Sequence, residues 1–260
     1  MLVAVVFVGA LAGTLTYQRI NTAKAEVVFR EFPCASIAKP DRVVSINGFT
    51  FYVYVPLSHE GFLNMSIAER ARHHPEFTII YCLLKKKYLE SHPEIEGRVK
   101  SALNEIYALR RSSPNTGWDE LVISDVYLPE SSAIYIGVPK TMDRYSLTNI
   151  IQALQRVALK YGVNIYLYNV ICSRKEYEAS FGNISPEELR EKLKAIGVDD
   201  EGAEGYDWMT GRGLILINMS ISNPEDPRIM EILQKITQIY SPETPCKEIM
   251  VVFMPYYAFS

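Results

Sequence analysis

An α+β fold is predicted by three features of this chain. Residues 77 to 171 read as strand, helix, strand, strand, helix, strand; Asn47-Gly48 separates two β-rich runs; and most helical stretches carry their own start or stop residues. The first feature is the order of a split βαβ, or ferredoxin-like, unit, an antiparallel sheet with two amphipathic helices on one face. An apolar helix precedes this unit, and a further βαβ-like unit follows it.

Glu26 to Phe29 is a short strand. Val43 to Ile46 and Phe49 to Val55 form a hairpin, because Asn47 and Gly48 tolerate the positive φ of a type I′ turn. Ser66 and Glu69 make a capping box for a helix reaching His74. Phe77 to Leu84 reads as a buried strand. Ser91-His92-Pro93-Glu94 then opens a helix on which Ile95, Val99, Ala102, Leu103, Ile106 and Leu109 recur at helical spacing. Glu120 to Leu128 and Ala133 to Val138 are strands. The next helix carries Leu147, Ile150, Ile151, Leu154, Val157, Ala158 and Tyr161, and Gly162 stops it with a left-handed cap. Val163 to Ile171 is a strand, Ser173 to Ser180 a short capped helix, and Ser185-Pro186-Glu187-Glu188 starts a helix that Gly197 ends. Leu214 to Met219, Asp226 to Tyr240 and Lys247 to Tyr257 supply the last strand, helix and strand. The expected organisation is an apolar segment 1–18, a strand and hairpin region 19–75, a core 76–172 and an extension 173–260.

Composition bounds the function. The 260 residues are 48% hydrophobic and 22% charged, the proportions of a globular protein rather than of a disordered or multispanning one. With 27 Lys and Arg against 30 Asp and Glu the formal charge is −3, which argues against a general nucleic-acid binder. Lys85-Lys86-Lys87 is too short a run to alter that.

Met1 to Gln18 contains no charged side chain. As a helix it would span about 27 Å, close to the roughly 30 Å of a bilayer core. Ala23-Lys24-Ala25 suits signal-peptidase cleavage, although no basic residue precedes the apolar run; an uncleaved anchor has Arg19 and Lys24 on the unexpected flank. If a basic leader preceded Met1, both objections vanish, and the segment then resembles the apolar first helix of type IV pilin-like filament subunits. A core helix is the remaining alternative. Export is also favoured by the glycan acceptor triplets at Asn64, Asn183 and Asn218. Seventeen tyrosines point the same way. Cys34, Cys82, Cys172 and Cys246 include no CxxC pair and permit three pairings, of which Cys34 to Cys246, each beside a proline, is the expected one. Cys82 reads as a small buried hydrophobe.

Few residues announce chemistry. Glu69 and His73, four apart on one helix, could bind a metal with His59 and Glu60, but no HExxH-type spacing supports them. His74 and His92 are explained by local structure. No nucleophile motif or phosphate-binding glycine loop occurs. Asp199, Asp200, Glu201, Glu204 and Asp207 cluster around two glycines and are candidate calcium ligands, without EF-hand spacing; otherwise no cofactor is implied. Trp208 and Met209 are candidate interaction anchors, as are Tyr52 and Tyr54 of the hairpin and Tyr256 and Tyr257 near the C-terminus. The reading these observations favour is an exported or membrane-anchored, extracytoplasmic protein-interaction or assembly module. Its partners are other proteins or further copies, its membrane contact is the N-terminal helix, and nucleic acid is not a partner. A pilin-like filament subunit and a secreted metal-dependent hydrolase are the alternatives.

Overall fold

Two mixed sheets organise the computed structural model, which describes residues 25–55, 61, 64–75, 77–78, 81, 93–128, 133–182, 184–196 and 204–253. The strands are β1 (Val27–Phe29), β2 (Arg42–Ile46), β3 (Phe49–Tyr54), β4 (Val122–Leu128), β5 (Ala133–Pro139), β6 (Asn164–Val170), β7 (Glu204–Asp207), β8 (Arg212–Ile217) and β9 (Glu248–Phe253). The helices are α1 (Ile67–His73), α2 (Pro93–Ser112), α3 (Arg144–Tyr161), α4 (Arg174–Ala179), α5 (Pro186–Ala195) and α6 (Pro227–Ile236). One sheet has the order β1-β6-β5-β4 and the other β2-β3-β9-β8-β7.

Both sheets follow one plan. A hairpin, β4-β5 or β7-β8, is followed by a crossover helix, α3 or α6, that returns the chain to a parallel strand, β6 or β9. An earlier strand, β1 or β3, then pairs in parallel with that returning strand. Parallel neighbours need such a crossover because a tight turn can only reverse the chain.

Local chemistry sets the element ends. Asn47 and Gly48 take φ values of 51° and 82° at the β2-β3 turn, as that dipeptide predicts. Ser66 and Glu69 close a capping box on α1, and Ser173 and Glu176 do the same on α4. Asp143 accepts from the first amides of α3, and Gly162 ends that helix in the left-handed region.

Helices cover one face of each sheet. Ile150, Leu154 and Val157 of α3, with Val99 and Ile106 of α2, bury against Ile134, Ile136, Ile165 and Leu167. On the second sheet Ile229, Leu233 and Ile236 of α6, with Leu189 and Leu193 of α5, cover Phe51, Ile215, Ile217 and Phe253. The opposite faces are aromatic: Tyr135, Tyr166 and Tyr168 on the first sheet and Tyr54 on the second. Both of those clusters include Ile37, so the segment following β1 packs where the two faces meet.

The backbone also joins the sheets directly. Ile171 N–H donates to the Thr210 carbonyl at 2.9 Å and Cys172 N–H to the Gly211 carbonyl at 3.2 Å. Gly211 has φ +71°, and a Cβ there would stand 2.6 Å from Val170 Cβ and 2.7 Å from the Ile171 nitrogen. Only glycine fits both the conformation and the approach.

Three expectations are corrected. The ferredoxin-like order is not adopted, because β5 and β6 pair directly and in parallel along their whole length, with β1 outside β6. Of the expected strand Phe77 to Leu84, the described residues Phe77, Thr78 and Tyr81 are helical. A short apolar run fits a buried helix as well as a buried strand, so periodicity alone could not separate them. The disulfide joins Cys246 to Cys172, with Cα atoms 5.9 Å apart, and not to Cys34, which is itself disulfide-bonded. Cys172 lies just past β6 at the sheet junction, a proximity that exists only once the two sheets have met. The apolar segment 1–18 lies outside the described residues, among which no helix is long and apolar enough to cross a membrane.

Candidate functional site

Parallel strands end together, and three of them end at the sheet junction. The residues just past β1, β5 and β6 therefore gather at one edge of the first sheet, the place where open sheets with crossover helices commonly bind ligands. Arg30 N–H donates to the Leu167 carbonyl at 2.7 Å and Lys140 N–H to the Val170 carbonyl at 3.1 Å, so both backbones are fixed one residue beyond their strands. Together with the β7-β8 turn they enclose a solvent-open cleft of about 530 Å³.

One wall and the floor are apolar. Phe32 packs among Tyr135, Tyr168 and Trp208, with ring centroids 5.2, 5.0 and 5.3 Å away. Ile171 and Met209 line the cleft beside it, and Phe29, 46% exposed, stands at its edge. Tyr168 donates its hydroxyl to the Trp208 carbonyl at 2.9 Å, which ties the floor to the turn. Burial raises the Tyr168 phenol well above its ordinary pKa, so it is a fixed donor.

The turn is organised by Asp207. Its carboxylate accepts from the amides of Met209 and Thr210, each at 3.2 Å, and from the Thr210 hydroxyl, while Gly211 N–H donates to its carbonyl. Burial pushes the Asp207 carboxyl up, against the pull of those hydrogen bonds and of Arg212. A side chain so fully used within its own turn acts as a local brace. Arg212 leaves the turn to pair with Glu248 at 2.9 Å and to stack on the Tyr52 ring at 3.9 Å. Tyr52 donates to the same carboxylate at 3.0 Å, and burial is the main cause raising its phenol pKa. A smaller recess of about 90 Å³ shares Ala35, Met209, Thr210 and Arg212 with the cleft and extends to Tyr54 and Met250.

Charge distinguishes the cleft from the chain as a whole. Arg30, Lys140 and Arg212 line it with Glu31 as the one acid, on a protein whose formal charge is −3. Arg30 lies 4.2 Å over the Tyr166 ring and reaches Glu26 at 3.4 Å in an exposed pair. The arrangement offers cationic and neutral donors, among the latter Ser36 and Asn169, beside aromatic and aliphatic surface.

The residues singled out in the sequence are placed as follows. Asp207 is the turn brace and Glu204 opens β7; Asp199, Asp200 and Glu201 lie outside the described residues. Among the described residues no group of three His, Cys, Asp or Glu could hold a metal. Met209 is a core residue, 3% exposed, and Tyr54 is likewise 3% exposed on an interior strand, so neither presents a surface anchor. Trp208 is half-buried against Phe32, and Tyr52 is held under Arg212. Tyr256, Tyr257, Asn183, Cys82, His59 and His92 lie outside the described residues. Asn64 is exposed, but the Ser66 of its triplet is engaged with Glu69; Asn218 is half-buried after β8. Glu69 takes the Ser66 amide at 2.8 Å, and its hydrogen bonds with Ser66 lower its pKa; it is a helix cap.

Arg30, Phe32, Lys140 and Asn169 were not singled out in the sequence. The available signal was positional: a basic residue follows the strands at 26–29 and 133–138, and only the parallel pairing makes those positions neighbours. Comparison with family models, with curated proteins and with solved structures returns no match.

Proposed function

We propose that this chain is an extracytoplasmic, non-catalytic protein-interaction module whose working surface is the cleft between its two sheets. The observation that carries the reading is the 530 Å³ opening at the carboxyl ends of β1, β5 and β6, walled by the β7-β8 turn. Its size falls in the range of about 300–1,000 Å³ common to ligand sites. The Cys172 to Cys246 bond supports export, since such bonds persist chiefly in oxidising compartments.

A filling substitution tests the proposal. Asn169 is exposed at the end of β6, and Leu159 is 59% exposed on α3. The tagged full-length chain recovered from its own cells under native conditions should co-migrate with a partner protein. Asn169→Trp should abolish that complex and Leu159→Trp should keep it. Loss from both variants or from neither would remove the cleft from the account.

A further inference from the structure

Resting on the binding reading above, the charge and shape of the cleft narrow the class of partner. Among the described residues that line the cleft are three cations and one acid, Glu31, and of the cations Arg212 is committed to Glu248 and stacked on Tyr52. Arg30 lies over the Tyr166 ring at 4.2 Å, and its one ion pair among the described residues is an exposed contact with Glu26 at 3.4 Å, of a kind that contributes little and exchanges readily. Lys140 is exposed and forms no ion pair with any described residue. Lys140 and Arg30 are therefore the cations that can meet a ligand at the carboxyl edge of the first sheet, beside Ser36 and Asn169 as neutral donors. Directly adjoining them are the exposed ring of Phe29 and the half-buried Ile171, backed by the buried Phe32 and Met209.

We infer that the cleft takes an acidic, extended segment of a partner protein. A Glu or Asp carboxylate of that segment pairs with Lys140 and Arg30, and a neighbouring apolar side chain lies against Phe29 and Ile171. Charge complementarity selects the segment: a cationic cleft on a chain of charge −3 draws an acidic ligand to this spot and repels it elsewhere. The cleft is open to solvent and flanked by neutral donors, which suits a backbone passing through it.

The test uses the full ¹⁵N-labelled chain and three probes: Ac-Glu-Leu-Glu-NH2, its neutral isostere Ac-Gln-Leu-Gln-NH2, and inorganic phosphate. The acidic peptide should shift the amide signals of Arg30, Lys140 and Thr210 saturably. The neutral peptide should bind about two- to fivefold more weakly, the scale of one solvent-exposed charge pair. Lys140→Gln, an exposed substitution checked for unchanged melting temperature, should weaken the acidic peptide by a similar factor and shrink its advantage over the neutral one. Equal binding of the two peptides, shifts confined to other surfaces, or no shifts at all would overturn the inference. Phosphate shifting the same signals as strongly as the peptide would also overturn it, by making the cleft a simple anion site. If any of these occurs while Asn169→Trp still destroys the native complex, the acidic-segment inference falls and the interaction reading stands.

Discussion

Acidification should destabilise this protein through one buried ring. His74 is fully buried at the end of α1, beside Phe77 with ring centroids 6.3 Å apart, and its amide donates to the Arg70 carbonyl. Burial is the main cause that lowers its pKa from 6.5 to about 4, with the neighbouring His73 charge acting in the same direction. The folded state therefore keeps this imidazole neutral through a range where the unfolded chain protonates it. Between about pH 6.5 and pH 4 the unfolded state binds the extra proton, so stability is full above the unfolded value and is lost as pH falls through the window. A depression of about 2.5 units at 1.36 kcal/mol per unit corresponds to about 3 kcal/mol. Other groups titrate nearby. Asp207, whose pKa is raised, contributes the opposite slope, while the lowered carboxylates of Glu69 and Asp143 lose their stabilisation at still lower pH. The comparison is consequently between wild type and His74→Gln, each unfolded in urea at half-unit intervals from pH 7.5 to 4 and followed by circular dichroism. Wild type should lose about 3 kcal/mol more than the variant over the window. Parallel curves would refute the reasoning, because they would mean that the ring is charged or solvated in the folded state.

Three further outcomes are expected. Replacing Cys172 and Cys246 together by Ser opens a link between residues 74 apart in sequence and should cost about 2–4 kcal/mol; an unchanged urea midpoint would contradict the pairing. Gly211→Ala should cost about 2–4 kcal/mol, whereas Gly182→Ala, at a similar φ of +70° but with nothing within 4 Å, should cost about 1 kcal/mol. Equal melting temperatures for these two variants would show that the sheets do not meet at residue 211. Leu233→Ala, on the buried face of α6 against the second sheet, should cost about 2–5 kcal/mol, and a smaller loss would place α6 away from the core.

What the sequence discloses here is mostly local. Asn47-Gly48, the Ser66 and Ser173 boxes and the Gly162 cap act within a few residues, and each is found where spacing places it. Sheet order is a different matter, because the same βαββαβ string fits either an antiparallel arrangement or the parallel β5-β6 pair that α3 closes. Periodicity was silent about Phe77, since a run apolar on all sides lacks the polar face that would tell helix from strand. The cleft was the least legible part. Arg30 and Lys140 lie far apart along the chain and read as ordinary solvated charges until β1, β6 and β5 bring their ends together. Conversely, Asp207 and Met209 looked like surface features because they sit in a polar, glycine-containing stretch. That composition instead reflects a tight turn pressed against Val170 at Gly211.

Site-specific photocrosslinking addresses the interaction surface most directly. A photoreactive phenylalanine analogue in place of Phe29, at the cleft edge, is compared with the same analogue at Leu159, on the exposed side of α3, in cells that naturally make the protein. One discrete adduct from position 29 and none from 159, reduced in yield when Lys140→Gln is added, is the predicted result. Adducts of equal yield from both positions, or from 159 alone, would contradict it.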